Sequence, residues 1–97
     1  MKKCNSLQEV RDEVDKIDIQ LVELISQRSH LIRQAASFKE SVEEVKAQER
    51  IDDIMQKVRK KAIELNVNPN MISDLFTIMI DEMVETEISE LRNAGNF

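Results

Sequence analysis

Aromatic side chains are scarce in this sequence: three Phe, with neither Trp nor Tyr, among 97 residues. With apolar residues at 41% a core is still possible, and the reading is long helices with few connections. Gly and Pro occur once each, which leaves little material for hairpins and tight turns. The one Cys, Cys4, has no second thiol to pair with and no metal-ligand partner at a usable spacing. A single free thiol suits a reducing cytosol. The one His, His30, has no nucleophile and acid arranged with it, so no catalytic triad is indicated and a surface position is expected. The carboxylates Glu43, Glu44, Glu49, Asp52 and Asp53 lack any Glu-x-x-His pattern, so they read as a solvated helix start and no metal is expected. Met1-Lys2-Lys3 is followed by no long apolar run, so neither a signal peptide nor a membrane span is expected, and the chain is expected in the cytoplasm. Net charge is −5, and the basic cluster Lys57, Arg59, Lys60 and Lys61 lies among Asp52, Asp53 and Glu64, which speaks against nucleic-acid binding.

What the sequence does have is long helical periodicity. Leu7, Val10, Val14, Ile17, Leu21 and Leu24 step along in alternating threes and fours, and the rhythm resumes at Leu31, Ala35 and Phe38. Ser6-Leu7-Gln8-Glu9 fits a capping box, so the first helix is expected to start near Leu7 and to run unbroken to about Glu40. At 1.5 Å per residue such a helix is about 50 Å long, whereas a domain of this size has a radius of gyration of about 13 Å. A helix that outruns its own globule and stays apolar to both ends needs cover from another chain. The expected assembly is an intertwined homodimer, with two-fold symmetry.

A short polar connection, Ser41 to Ala47, leads to a second helix from about Gln48 to Leu65, with Ile51, Ile54, Val58, Ala62 and Leu65 on one face. Asn68-Pro69 is a start signal for a third, Pro69 to about Asn93, with Gly95 just past its end. Its stripe is Ile72, Leu75, Phe76, Met79, Ile80, Met83, Val84, Ile88 and Leu91, the Met residues reading as core packing. The fold class is therefore all-α, one helical domain over residues 6–93 with tails at 1–5 and 94–97.

Two charges stand inside these stripes. Arg28 occupies a seam position between Leu24 and Leu31, and Glu87 lies between Met83 and Leu91. A charge at such a place is costly without a partner. Lys39 lies eleven residues after Arg28. On one ideal helix that separation is about 16 Å of rise and about 20° of rotation, so two long side chains converge on a small molecule between them. Arg11, seventeen residues before Arg28, is about 25 Å away and about 100° round; by itself it reads first as a surface residue, and it could join the same site from an antiparallel partner chain. Cations of this kind with one embedded Glu suit a small dianion, because Arg clamps a carboxylate bidentately and Lys acts as a movable point charge. A second reading fits the pattern equally: Arg28 and Glu87 as a buried ion pair, or as a polar device fixing the register of a helical dimer.

The ordered set Leu7-Gln8-Glu9-Val10-Arg11, Ile17-Asp18, Leu24-Ile25-Ser26-Gln27-Arg28, Phe38-Lys39, Glu49-Arg50 and Leu75-Phe76 with Glu87 resembles the all-helical chorismate mutase family, including the related isochorismate-pyruvate lyases. The resemblance covers Leu7 to Leu91. It implies a dimer of three-helix chains whose long first helices pair antiparallel, each site taking one Arg from the partner. It implies that Arg28 and the partner's Arg11 hold the substrate's two carboxylates. Lys39 would donate to the ether oxygen as the C–O bond breaks, and Glu49 would bind the ring hydroxyl. Glu87 would be a second donor to that oxygen, and Gln48 and Met83 would complete the substrate-binding set. The implied reaction is the rearrangement of chorismate to prephenate in aromatic amino-acid biosynthesis, which needs no cofactor: the protein restrains a flexible dianion and stabilises charge growing on an oxygen.

The chain departs from the mutase pattern at two places. An Asp and an additional Arg near the start of the second helix are replaced by Val45 and Gln48, and in this connection the chain looks more like the lyases, which make salicylate and pyruvate from isochorismate. Glu87 stands where many members have Gln, and a Glu donates a hydrogen bond only when protonated. Three functions follow as expectations: chorismate mutase first, isochorismate-pyruvate lyase second, and a non-catalytic helical dimerisation or regulatory module third.

Overall fold

Four helices follow one another in the computed structural model, which describes residues 3–93: α1, Leu7–Ala36; α2, Val42–Val45; α3, Gln48–Glu64; and α4, Pro69–Asn93. No strand occurs among the described residues. The expected all-α fold with three long helices is the one observed, α2 being a single added turn in the connection. The chain divides into two units, Met1–Leu31 and Ile32–Phe97. The first is the greater part of α1; the second holds the end of α1 and the other three helices. Gly95 lies outside the described residues.

The start of α1 follows the capping logic, with one change. The Glu9 amide donates to Ser6 Oγ at 3.1 Å, while the Glu9 carboxylate accepts from the amide of Asn5 at 2.7 Å. The returning arm of the box thus lands one residue upstream of the cap. Along the first unit the seam residues Leu7, Val10, Val14, Ile17, Leu21 and Leu24 are each 43–63% exposed.

The far end of α1 corrects the sequence expectation. The helix stops at Ala36 rather than continuing to about Glu40. Ser37, Phe38 and Lys39 donate their amides to the carbonyls three residues back, Gln34, Ala35 and Ala36, and the Ser37 hydroxyl also donates to Gln34 O at 2.7 Å. A serine offering its hydroxyl to the preceding turn competes with the helical bond and lets the helix tighten and end. Phe38 is therefore not a seam residue; it lies beyond the helix and is 84% exposed.

The connection to α3 is ordered by a second box. Ser41 Oγ accepts from the Glu44 amide at 3.2 Å, and the Glu44 carboxylate accepts from the Glu40 amide at 2.6 Å. Val45, the last residue of α2, is buried, and α2 packs on α4. Burying a Val side chain contributes roughly 1.5–3 kcal/mol, enough to hold so short a helix in place.

Helices α3 and α4 pack as a hairpin. Its turn is closed by a Schellman arrangement: the Val67 amide donates to Ala62 O at 2.8 Å and the Asn66 amide to Ile63 O at 3.2 Å. Asn66 takes φ of 59°, the left-handed conformation that this cap requires and that Asn tolerates. Leu65, assigned from sequence to the helix face, falls just past its end and is exposed. Asn68 caps α4 through its side-chain oxygen, which accepts from the Asn70 amide at 2.9 Å. Arg59 of α3 then spans the hairpin, its Nη1 lying 3.1 Å from Pro69 O and 2.6 Å from Ser73 Oγ. The buried apolar residues Ala36, Val45, Ala62, Ile80 and Leu91 come from all four helices, and Glu87 is the buried charged residue among them.

Candidate active site

Glu87 reaches its place because α4 keeps its helical period through the position. Ile80 and Leu91 are buried two turns before it and one turn after it on the same helix, and the stripe carries Glu87 in with them. It is 4% exposed. A carboxylate so placed needs a cation or a donor, and Lys39 supplies both: Nζ donates to Glu87 Oε2 at 2.8 Å. The pair joins residues 48 apart in sequence. The Lys39 side chain keeps 27% of its surface, so the ammonium stands between the buried carboxylate and open space.

Lys39 does not stand on α1. The ideal-helix relation between Arg28 and Lys39 drawn from their spacing therefore fails, because the chain leaves the helix three residues before Lys39. Lys39 instead sits in the link to α2, between the buried Ala36 and the buried Val45.

The other expected site residues are distributed as follows. Met83, one turn before Glu87 on α4, is half-buried. Gln48 opens α3, and its Nε2 donates to Asp52 Oδ1 at 2.8 Å, one turn along the same helix. Gln48 also edges an open depression of about 710 Å³ floored by Ile51, Ile80 and Val84, whose lining includes neither Lys39 nor Glu87. Glu49 is exposed and borders a separate hollow with Arg50 and Asp53. Arg11 and Arg28 belong to the first unit, Arg11 exposed and Arg28 half-buried on α1. Within the second unit the structure thus joins Lys39 to Glu87.

What the sequence reading missed is the scaffold under Lys39. The signal was present: Ser41-Val42-Glu43-Glu44 repeats the S-x-x-E spacing of Ser6-Leu7-Gln8-Glu9. No group of three or more metal-binding side chains occurs among the described residues. No helix among them is long and apolar enough to cross a membrane.

The family described as chorismate mutase type II matches residues 10–88 of this chain. The chain is similar to the bifunctional chorismate mutase/prephenate dehydratase of Buchnera aphidicola, with 31% identity over 93 residues. That match covers 95% of this chain and 24% of the relative, so the chain spans about a quarter of the bifunctional protein's length. It is also similar to the isochorismate pyruvate lyase of Pseudomonas aeruginosa, with 25% identity over 89 residues, which are 92% of this chain and 88% of that one.

Proposed function

The chain belongs to the chorismate mutase type II family, and from that premise we propose that it is a chorismate mutase, converting chorismate to prephenate in a homodimer with shared sites. The observation that carries the proposal is the Lys39–Glu87 pair, a buried acid held at 2.8 Å by a partly open ammonium. A pericyclic rearrangement asks for no nucleophile. It asks for a rigid polar frame that holds the reactive conformer and for donors aimed at the ether oxygen as its charge grows. Lys39 is such a donor through its ammonium, and Glu87 in its acid form is a second. Arg28 and the partner's Arg11 clamp the two carboxylates in the bidentate manner that guanidinium permits. Glu49 takes the ring hydroxyl, and Gln48 and Met83 border the substrate.

The dimer is supported by the first unit. Ile17, Ile19, Leu21, Val22, Leu24 and Ile25 are all exposed in the single chain, and together they surround more than half of the helix circumference. Apolar surface of that extent is a contact surface. It is centred on Leu21. An antiparallel copy of α1 crossing on a two-fold axis near Leu21 brings the partner's Arg11 level with Leu31, about one turn past Arg28.

A second reading, isochorismate pyruvate lyase, is favoured by the start of α3. Val45 is buried against α4, and Gln48 is bonded to Asp52, so neither place supplies the Asp and Arg of the mutase pattern. The lyase is also matched over 88% of its length. Offering the pure protein each substrate separately decides between them. Prephenate from chorismate supports the mutase, salicylate and pyruvate from isochorismate support the lyase, and no turnover of either by an intact dimer leaves a non-catalytic helical module.

A further inference from the structure

We propose that α2 is a positioning device for Lys39, with Ser41, Glu44 and Val45 as its working residues; the inference rests on Lys39 serving the proposed site. Lys39 is a long side chain on a non-helical link, and its ammonium is nonetheless held at 2.8 Å from a buried carboxylate. The backbone on either side explains how. Upstream, the Lys39 amide donates to the carbonyl of buried Ala36 at 3.2 Å. Downstream, the next amide, that of Glu40, donates to the Glu44 carboxylate at 2.6 Å, and Glu44 is itself fixed by the bond from its amide to Ser41 Oγ at 3.2 Å. The Val45 amide donates back to Ser41 O at 3.3 Å, and the Val45 side chain is buried where α2 meets α4, the helix that carries Glu87. One short turn therefore ties the backbone beside Lys39 to the helix that bears its partner. A helix of four residues has no stability of its own. Its capping box and its one buried side chain serve to fix the link.

Glu44 acts here through its hydrogen-bond acceptance rather than its charge, since its carboxylate meets a backbone amide. Gln at position 44 keeps an acceptor of the same reach, and Ala does not. The test is the series Glu44→Ala, Glu44→Gln, Ser41→Ala and Ser41→Thr in the full chain. Glu44→Ala and Ser41→Ala are expected to lower kcat by about tenfold, with KM changing less, because a displaced donor weakens the transition state more than the bound substrate. Glu44→Gln and Ser41→Thr are expected to recover most of that loss. A second readout needs no substrate: the coupling between Lys39→Met and Glu87→Gln, measured by double-mutant cycle in urea unfolding, is expected to fall by at least half in the Glu44→Ala background. An undiminished coupling in that background overturns the proposal, as does a Glu44→Gln protein no better than Glu44→Ala. Should the unmodified protein turn over neither chorismate nor isochorismate, the proposed function fails, and the coupling cycle still decides the positioning role.

Discussion

Glu87 and Lys39 have different degrees of freedom. Glu87 is locked in a helix stripe, so its place is set by period; Lys39 is set by the contacts on both sides of it. Two outcomes at this scale test their roles and that of Arg28. Arg28→Ala is expected to lower turnover by about 10²–10³, the order found when one fixed donor is removed from a charge-stabilising site, while the protein stays dimeric. Steady-state rates alongside sedimentation equilibrium check this, and full activity in the variant removes Arg28 from the clamp. The second outcome concerns the hydrogen bonding of Glu87. Glu87→Ala takes the acceptor from the Lys39 ammonium and is expected to lower turnover, whereas Glu87→Gln keeps an acceptor for Lys39 and adds an N–H donor, and is expected to retain most of it. Steady-state rates of both variants are the measurement, and equal losses in the two dismiss a hydrogen-bonding role for Glu87.

At the scale of elements, side chains hold several helix ends: Ser6 and Asn68 at the starts of α1 and α4, and Ser41 at the start of α2. Arg59 is the clearest case across a turn: it meets Pro69 O, Asn70 Oδ1 and Ser73 Oγ at the start of α4. Arg59→Ala is expected to destabilise the fold by roughly 1–3 kcal/mol, since the partly buried Pro69 carbonyl and Ser73 hydroxyl lose a charged donor. Urea unfolding checks it, and a change within experimental scatter rules the staple out. On α3, Asp53 is held below the ordinary carboxylate range, first by its hydrogen bond from Lys57; desolvation opposes this next in strength, and the Lys57 charge and the bond and charge of Arg50 add to the lowering. A depressed acid stabilises the folded state above the unfolded carboxylate's titration and loses that contribution as pH falls through its own. The stability difference between the unmodified protein and Asp53→Asn is therefore expected at neutral pH and to vanish in acid; thermal melts at several pH values test the sign. The starts of α1 and α4 were legible as Ser6 and Asn68-Pro69 because capping chemistry is local. The end of α1 was not, because Ser37 ends the helix by a hydroxyl bond to Gln34 that a heptad pattern running on to Phe38 conceals.

For the molecule as a whole, the apolar belt of α1 around Leu21 makes the assembly state the decisive property. Leu21→Glu places two like charges beside the proposed two-fold axis, and the protein is expected to sediment near the 11.3 kDa of one chain with loss of turnover. A dimer that survives this change places the interface elsewhere. The sequence by itself determined the all-α class, the three long helices, the family and the identity of the charged residues set into apolar stripes. All of these rest on period, capping and ordered spacing, which are properties of neighbours along the chain. Only the tertiary structure decided that Lys39 lies off α1 and that its ammonium meets Glu87. It also decided that a four-residue helix stands under the link. The meeting of Lys39 and Glu87 is a contact between distant segments, fixed by which side chains share a buried space rather than by the order in which they are strung. The end of α1 and the turn of α2 rest on local serine bonds, and they hold because Val45 is buried where α2 meets α4.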